Sequence, residues 1–174
     1  MSTRELQEQF ESQVSQHRKI IYKVCNAYCH DPEDREDLAQ EILVQLWRSF
    51  QSFDGRCLFS TWMYRVALNT ALSFSRHEFR RRRYVMAVED RLLVEVPAEE
   101  PEADQLRILY ELVGAFDPLN KALLLLYLDG NSYQEISNVL GISATNAATK
   151  INRLKDTMRL QVGAQARPGR KTQL

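Results

Sequence analysis

The segment from Tyr133 to Lys155 constrains the fold most, because its apolar spacing and turn chemistry suit two short helices that cross. Gly141 stands at the turn between them, where a left-handed backbone is needed that glycine adopts at little cost. Ser132 and Glu135 have the spacing of a capping box, which starts the first helix. Apolar residues stand where the helices must touch: Ile136, Leu140, Ile142, Ala147 and Ile151. The segment predicts a helix-turn-helix, with a plain αα-hairpin as the alternative.

The second of these helices is predicted to present a polar outer face. Ser143 is placed to cap it, and hydroxyl, amide and basic groups follow at the outward positions: Thr145, Asn146, Thr149, Lys150 and Arg153. Such groups match the base edges and phosphates of a DNA major groove. The pattern therefore favours DNA reading over a solvated face without a partner.

Amphipathic helical periodicity runs through most of the chain. Residues 6–28 carry apolar side chains at spacings of three and four, which predicts one continuous helix. Asp31 followed by Pro32 starts the next helix, since aspartate caps free amides and proline suits the first helical position. That helix has an apolar stripe over residues 38–50, and a third helix is predicted to begin with Ser60 as its N-cap. The chain is therefore expected to be all-α.

The periodicity fails once, and the break divides the chain. Prolines flank acidic residues between Tyr84 and Glu102, which is typical of a flexible linker. We expect two small helical domains, residues 1–83 and 104–162, with a linker at 84–103. Residues 163–174 are basic and predict a disordered tail.

Charge is distributed in blocks, although 23 basic and 23 acidic residues leave the whole chain formally neutral. Residues 31–41 hold six acidic side chains against one arginine, and residues 76–83 hold five arginines against one glutamate. Alternating blocks of this kind indicate several separate surfaces with different partners.

Several classes of protein are disfavoured by the sequence. An odd number of cysteines, three, fits a reducing cytosol, and no apolar run or signal-peptide stretch is long enough for a membrane span or secretion. Cys25, Cys29 and His30 have zinc-like spacing but lack a second ligand pair, so we predict no metal. The sequence contains no Walker loop, dinucleotide motif or nucleophile–base constellation, so we expect that the protein is not an enzyme and uses no cofactor or small-molecule substrate. We also expect it to be cytoplasmic.

Three segments resemble conserved parts of the sigma-70 family of RNA polymerase sigma factors. Residues 34–41 with Trp47 resemble the helix of conserved region 2, and residues 59–69 resemble the promoter-melting part of that region. Residues 132–143 resemble the region 4 helix-turn-helix. Since only these two modules and a short linker are present, the chain is similar to the extracytoplasmic-function (group 4) class. The resemblance implies a region 2-like helical bundle followed by a region 4-like domain.

The resemblance implies that the acidic helix binds the helices of the polymerase β′ clamp. Asp37, Gln40 and Glu41 would meet a basic partner helix, and Trp47 would serve as an apolar anchor. The residues alone also allow a solvated acidic first turn that the helix dipole favours.

The resemblance also implies that residues 52–83 recognise and melt the −10 promoter element. Phe59 and Trp62 are candidates for stacking on unpaired bases, although aromatic residues at these positions are more readily explained as core. Asn69 would bind a base edge, and four arginines would hold phosphates: Arg65, Arg76, Arg80 and Arg81. The −35 element would be read by the outer-face residues of the helix-turn-helix and by Ser143.

The implied function is that of a transcription initiation factor. It would bind core RNA polymerase through the β′ clamp helices and the β flap, direct it to promoter DNA and assist melting. An anti-sigma factor, which could be membrane-anchored, is a further implied partner. The alternative is a stand-alone helix-turn-helix regulator whose first 83 residues sense a signal or dimerise.

Overall fold

The computed structural model describes residues 3–81 and 103–165, with side chains described at 4–75 and 106–163. These residues form α1 (Thr3–Gln16), α2 (Arg18–Tyr28), α3 (Pro32–Phe50), α4 (Phe59–Arg81), α5 (Ala103–Gly114), α6 (Pro118–Leu128), α7 (Tyr133–Leu140) and α8 (Ala144–Gln165). Helices α1–α4 form the first domain and α5–α8 the second. The prediction of an all-α fold with two helical domains is confirmed for the residues that the structure describes.

Aspartate–proline pairs begin α3 and α6. The Asp31 side chain accepts the Glu33 backbone N–H at 2.9 Å, and the Asp117 side chain accepts the Asn120 backbone N–H at 3.1 Å. In both helices proline occupies the first turn, where its missing donor costs nothing. The predicted N-cap Asp31 is therefore confirmed.

Two predicted helix boundaries are wrong. The stripe over residues 6–28 predicted one helix, but the helix is interrupted at His17, whose φ is −113° and ψ is 13°. The His17 ring Nδ1 lies 2.9 Å from the Gln13 carbonyl oxygen, so the imidazole engages the last turn of α1. Ser60 is not an N-cap, because α4 already begins at Phe59.

The predicted domain boundaries fall partly outside the described residues. Of the predicted linker at 84–103, the structure describes Ala103, which is the first residue of α5. Helix α8 continues to Gln165, into the segment that was expected to be a tail, and residues 166–174 lie outside the described part.

Each domain has a core of aliphatic side chains from several helices. In the first domain the largest fully buried side chains are Ile21, Leu38, Ile42, Leu43, Leu46, Met63 and Leu68. In the second they are Leu123, Leu124, Leu126, Ile136 and Ile151. The buried side chains of both domains form one continuous apolar cluster, because α2 and α4 pack against α5, α6 and α7.

None of the helices in the described ranges is both long enough and apolar enough to cross a membrane.

Candidate functional site

The turn between α7 and α8 is fixed by local hydrogen bonds. The Ser132 hydroxyl accepts the Glu135 backbone N–H at 3.2 Å, and the Glu135 carboxylate accepts the Ser132 backbone N–H at 2.7 Å. The Ser132 hydroxyl also donates to the Glu135 carboxylate at 2.7 Å, and this bond, followed by the bond from the Ser132 backbone N–H, lowers the pKa of Glu135. Gly141 has a left-handed backbone with φ of 69°, and the Ser137 hydroxyl donates to the Ile142 carbonyl oxygen at 2.6 Å. The predicted capping box and the predicted left-handed turn are both confirmed.

The packing of α7 on α8 positions the outer face of α8. Ile136, Ala147 and Ile151 are each fully buried between or beneath the two helices. The Ser143 hydroxyl accepts the Asn146 backbone N–H at 3.1 Å, so this side chain caps α8. The predicted helix-turn-helix is present, and its second helix has a defined start and a defined buried side.

Most of the residues predicted to read DNA share the outer face of α8. Within α8 itself, four of the predicted residues are exposed, namely Thr145, Asn146, Thr149 and Arg153, whereas Lys150 is half-buried. The Thr149 hydroxyl donates to the Thr145 carbonyl oxygen at 2.9 Å. This bond directs the Thr149 hydroxyl along the helix. Asn152 is also exposed and lies seven residues after Thr145, so it shares this face although the sequence interpretation missed it.

The acidic candidates on α3 lie opposite its buried stripe. Asp37 and Glu41 are exposed one turn apart, and the Gln45 amide donates to the Glu41 carboxylate at 2.8 Å. Gln40 is half-buried, and its Oε1 atom is buried without a hydrogen-bond partner among the described residues. These three residues form a continuous edge, which we call the acidic face of α3.

Trp47 occupies a different environment from these acidic residues. Its ring is half-buried and packs edge-on against Phe10 of α1, with ring centroids 5.1 Å apart. Trp47 therefore supports the packing of α1 on α3, and it stands seven residues after Gln40, on the same side of α3.

An aromatic cluster lies where the loop at residues 51–58 enters α4. Phe59 and Trp62 have ring centroids 5.2 Å apart, and the loop residue Phe53 lies 5.7 Å from Phe59 and 5.1 Å from Trp62. Phe53, Phe59 and Trp62 are all half-buried, whereas Leu58 beside them is 69% exposed. Phe59 and Trp62 thus contribute partly to the core and partly to the surface where the loop meets α4.

The polar candidates on α4 continue from this cluster along one side of the helix. Arg65 and Asn69 are exposed and stand three and seven residues after Trp62, which places all three on one face. The backbone of α4 extends through Arg76, Arg80 and Arg81. The side chains of those three arginines lie outside the described part.

Arg65 contacts the second domain. Its Nη2 atom donates to the Asn138 carbonyl oxygen at 2.5 Å. Asn138 belongs to the last turn of α7, where carbonyl groups lack partners within the helix and attract cations. A side chain predicted to bind phosphate is therefore held by the helix-turn-helix domain.

Asp129, which follows α6, binds two residues of the first domain. The Tyr64 hydroxyl donates to its Oδ2 atom at 2.7 Å, and the Lys23 ammonium group pairs with its Oδ1 atom. The Tyr64 side chain is only 3% exposed. Burial, followed by the hydrogen bond to Asp129, raises the pKa of Tyr64 well above its usual range, so the hydroxyl stays protonated.

The cysteines of α2 lie in an apolar setting. Cys25 and Cys29 are both buried, and burial raises the pKa of the Cys25 thiol far above its usual range. No cluster of three or more metal-binding side chains occurs in the portion of the chain that the structure describes.

Comparison with known proteins agrees with this architecture. Residues 13–83 match the family model for sigma-70 region 2. The chain is 30% identical over 155 residues to the ECF RNA polymerase sigma factor SigE of Mycolicibacterium smegmatis, covering 84% of this chain and 58% of that protein. It is 26% identical over 173 residues to the ECF RNA polymerase sigma factor SigW of Bacillus subtilis, covering 90% of each.

A solved structure shows the same arrangement of helices. The chain resembles the sigma factor RpoE of Bartonella quintana in its complex with the anti-sigma factor NepR, with a TM-score of 0.69 and 16% identity over 90% of this chain and 98% of that one. The first domain thus matches sigma-70 region 2, and the chain is similar over most of its length to extracytoplasmic-function sigma factors.

Proposed function

We propose that this protein is a transcription initiation factor that binds core RNA polymerase, directs it to specific promoters and assists their melting. The observation that carries the proposal is the outer face of α8, where hydroxyl, amide and basic side chains are exposed on a helix fixed by a capping box and a left-handed turn. The match of the first domain to sigma-70 region 2 supports the polymerase part of the proposal.

The acidic face of α3 is proposed to bind the β′ clamp helices of the polymerase. Asp37 and Glu41 are exposed carboxylates on one side of a long helix, which suits a basic partner helix. Gln40 adds a buried amide oxygen without a partner among the described residues, and a donor from the polymerase would satisfy it. Trp47 contributes the exposed rim of its ring and holds α1 in place. Contact of the second domain with the β flap is proposed from family resemblance.

The loop and α4 are proposed to recognise and open the −10 element. Bases that leave the stack need aromatic partners on which to stack. The half-buried rings of Phe59 and Trp62 lie where the loop at residues 51–58 enters α4 and would supply such partners. Asn69 is exposed on the same side and would bind a base edge. The sugar–phosphate backbone would follow α4 along its arginines: Arg65, Arg76, Arg80 and Arg81.

The second domain is proposed to read the −35 element through α8. Asn146, Asn152 and Arg153 provide groups that bind base edges, and Thr145 and Thr149 suit phosphate contacts near the helix start. Ser143 acts as the cap that orients the first turn, and its hydroxyl is already used by the Asn146 backbone. Lys150 reaches the DNA backbone from the side of the helix.

Other parts of the proposal concern partners and location. RpoE of Bartonella quintana is seen in complex with an anti-sigma factor, and we propose that an anti-sigma protein likewise controls this chain. The relatives are named as RNA polymerase sigma factors, and we propose that this chain catalyses no reaction itself. It would act in the cytoplasm, where the polymerase works.

A charge reversal tests the acidic face directly. Glu41→Lys should lower the affinity for core polymerase, because it places a cation against a basic partner, and pull-down with purified core measures the loss. Glu11→Lys is the matched control, since Glu11 is also exposed and accepts the amide of a glutamine four residues away, Gln7, at 2.9 Å. If both variants bind core as well as the wild type does, α3 is not the polymerase-binding face.

A further inference from the structure

We infer that Leu58 is a wedge that enters the promoter duplex between two neighbouring bases and opens the first base step of the −10 element. The inference rests on the proposed function, because it adds a residue to the surface proposed for that element. It starts from the exposure of one side chain. Leu58 is 69% exposed, and every other large apolar side chain that is exposed among the described residues belongs to the second domain.

Leu58 stands at the leading end of the face of α4 that is proposed to bind DNA. Its carbonyl oxygen accepts the Trp62 backbone N–H at 3.1 Å, so it already takes part in the first turn of α4. Trp62, Arg65 and Asn69 follow it by four, seven and eleven residues, which is the spacing of one side of a helix. Arg65 and Asn69 are exposed. Along this side, an apolar tip is therefore followed by groups that bind phosphates and base edges.

A packed group of aromatic rings follows Leu58 in the structure. The ring of Phe59 lies 5.2 Å from Trp62, 5.7 Å from Phe53 and 5.4 Å from the imidazole of His17. Phe59 also packs edge-on at 6.2 Å from Phe50, which is buried in the core. These rings fill this end of the core, and Leu58 remains outside it.

The loop before Leu58 is held in place by its own polar contacts. One oxygen of the Asp54 carboxylate accepts the Arg56 backbone N–H at 3.1 Å, and the other lies 2.9 Å from the Arg56 guanidinium group. Gly55 between them has a φ of 72°. The Ser52 hydroxyl donates to the Ser49 carbonyl oxygen at 2.7 Å and joins the loop to the end of α3. A loop that is ordered before binding loses little conformational entropy when its last side chain enters DNA.

An opening base step offers the apolar contact that Leu58 lacks in the free protein. When two bases unstack, their flat faces become exposed to water. An apolar side chain placed between them covers these faces and leaves water itself, so its burial offsets part of the cost of unstacking. The base that is displaced would stack on Phe59 or Trp62. Leu58 and the aromatic pair would thus act on neighbouring bases.

Promoter opening by the complex with core polymerase tests the wedge. The template is a promoter that the wild-type complex transcribes, and 2-aminopurine in its −10 element becomes fluorescent when the bases unstack. Leu58→Ala should slow opening by about tenfold, because most of the apolar area that enters the duplex is lost. Leu58→Met keeps an apolar side chain of similar volume and should open the promoter at close to the wild-type rate. Leu58→Asn is similar in size but polar, and it should be as slow as Leu58→Ala.

A second template separates a wedge from a general contact or a folding defect. In this promoter the −10 element is opened beforehand by mismatched bases. Leu58→Ala should bind and transcribe it as the wild type does, since no base step is left to open. An equal loss on the matched and the mismatched promoter would overturn the wedge.

Leu160→Ala is the matched control, because Leu160 is a 76% exposed leucine on α8. It should open the matched promoter at the wild-type rate. A leucine that is exposed without a role in opening would make Leu58→Ala as fast as this control, and that result would overturn the wedge, as would a Leu58→Asn variant that opens at the wild-type rate. Both results leave the proposed function intact, which is overturned instead if the wild-type protein and core polymerase open no promoter.

Discussion

Gly141 should be the least replaceable glycine of the helix-turn-helix. Its φ of 69° lies in the left-handed region, where an L-residue with a Cβ loses roughly 1–2 kcal/mol. No atom lies within 4 Å of an added Cβ, so the whole cost comes from the backbone. We expect Gly141→Ala to lower the free energy of unfolding by about 1–2 kcal/mol. Gly141→Asn should lose less, because asparagine tolerates this conformation.

Urea unfolding followed by circular dichroism measures these differences. Gly163→Ala is the matched control, because Gly163 also has no atom within 4 Å of an added Cβ but lies inside α8. That substitution should leave stability unchanged or raise it by up to about 1 kcal/mol, since alanine favours a helix. If Gly141→Ala is as stable as Gly163→Ala, or if asparagine is worse than alanine at position 141, the reasoning from backbone strain is refuted.

Three further predictions concern the second domain. Leu126→Ala should cost about 2–5 kcal/mol of unfolding free energy, because Leu126 is fully buried, whereas Leu160→Ala at a 76% exposed position should change it little, and urea titration compares them. The hydrogen bonds of Ser132 lower the pKa of Glu135, so their stabilisation is complete above the ordinary carboxylate pKa and is lost as pH falls through the lowered value. Circular dichroism from pH 7 into acid should show this loss in the wild type and a weaker pH dependence in Ser132→Ala; equal curves would count against it. Arg153→Ala should weaken binding of promoter DNA and reduce the slope of log K against log salt by about 1 if its contact is to phosphate, which fluorescence anisotropy at several salt concentrations would detect.

Local chemistry made much of the fold predictable. The caps at Asp31 and Ser132 and the left-handed turn at Gly141 each depend on a few neighbouring residues, and the structure has all three. The apolar spacing also predicted the burial of Ile136, Ala147 and Ile151, because helical periodicity fixes which side faces the core. Leu140 and Ile142 are only half-buried, and the buried Val139 was missed. The family resemblance then connected these elements to a function.

Tertiary packing accounts for what the sequence did not reveal. The break at His17 has no glycine or proline to mark it, and it depends on the ring reaching the Gln13 carbonyl group. The bond between Tyr64 and Asp129 joins residues 65 positions apart, and no periodic pattern relates them. Asn152, in contrast, was predictable, since it lies seven residues after Thr145 on the same helix face.

Run-off transcription tests the central proposal most directly. Core RNA polymerase from the same source would be combined with fragments of its genome, with and without this protein. The account predicts discrete new transcripts that appear only when the protein is present. If the protein neither binds core polymerase nor changes the transcripts, the initiation-factor proposal is contradicted and a stand-alone helix-turn-helix regulator becomes the better explanation.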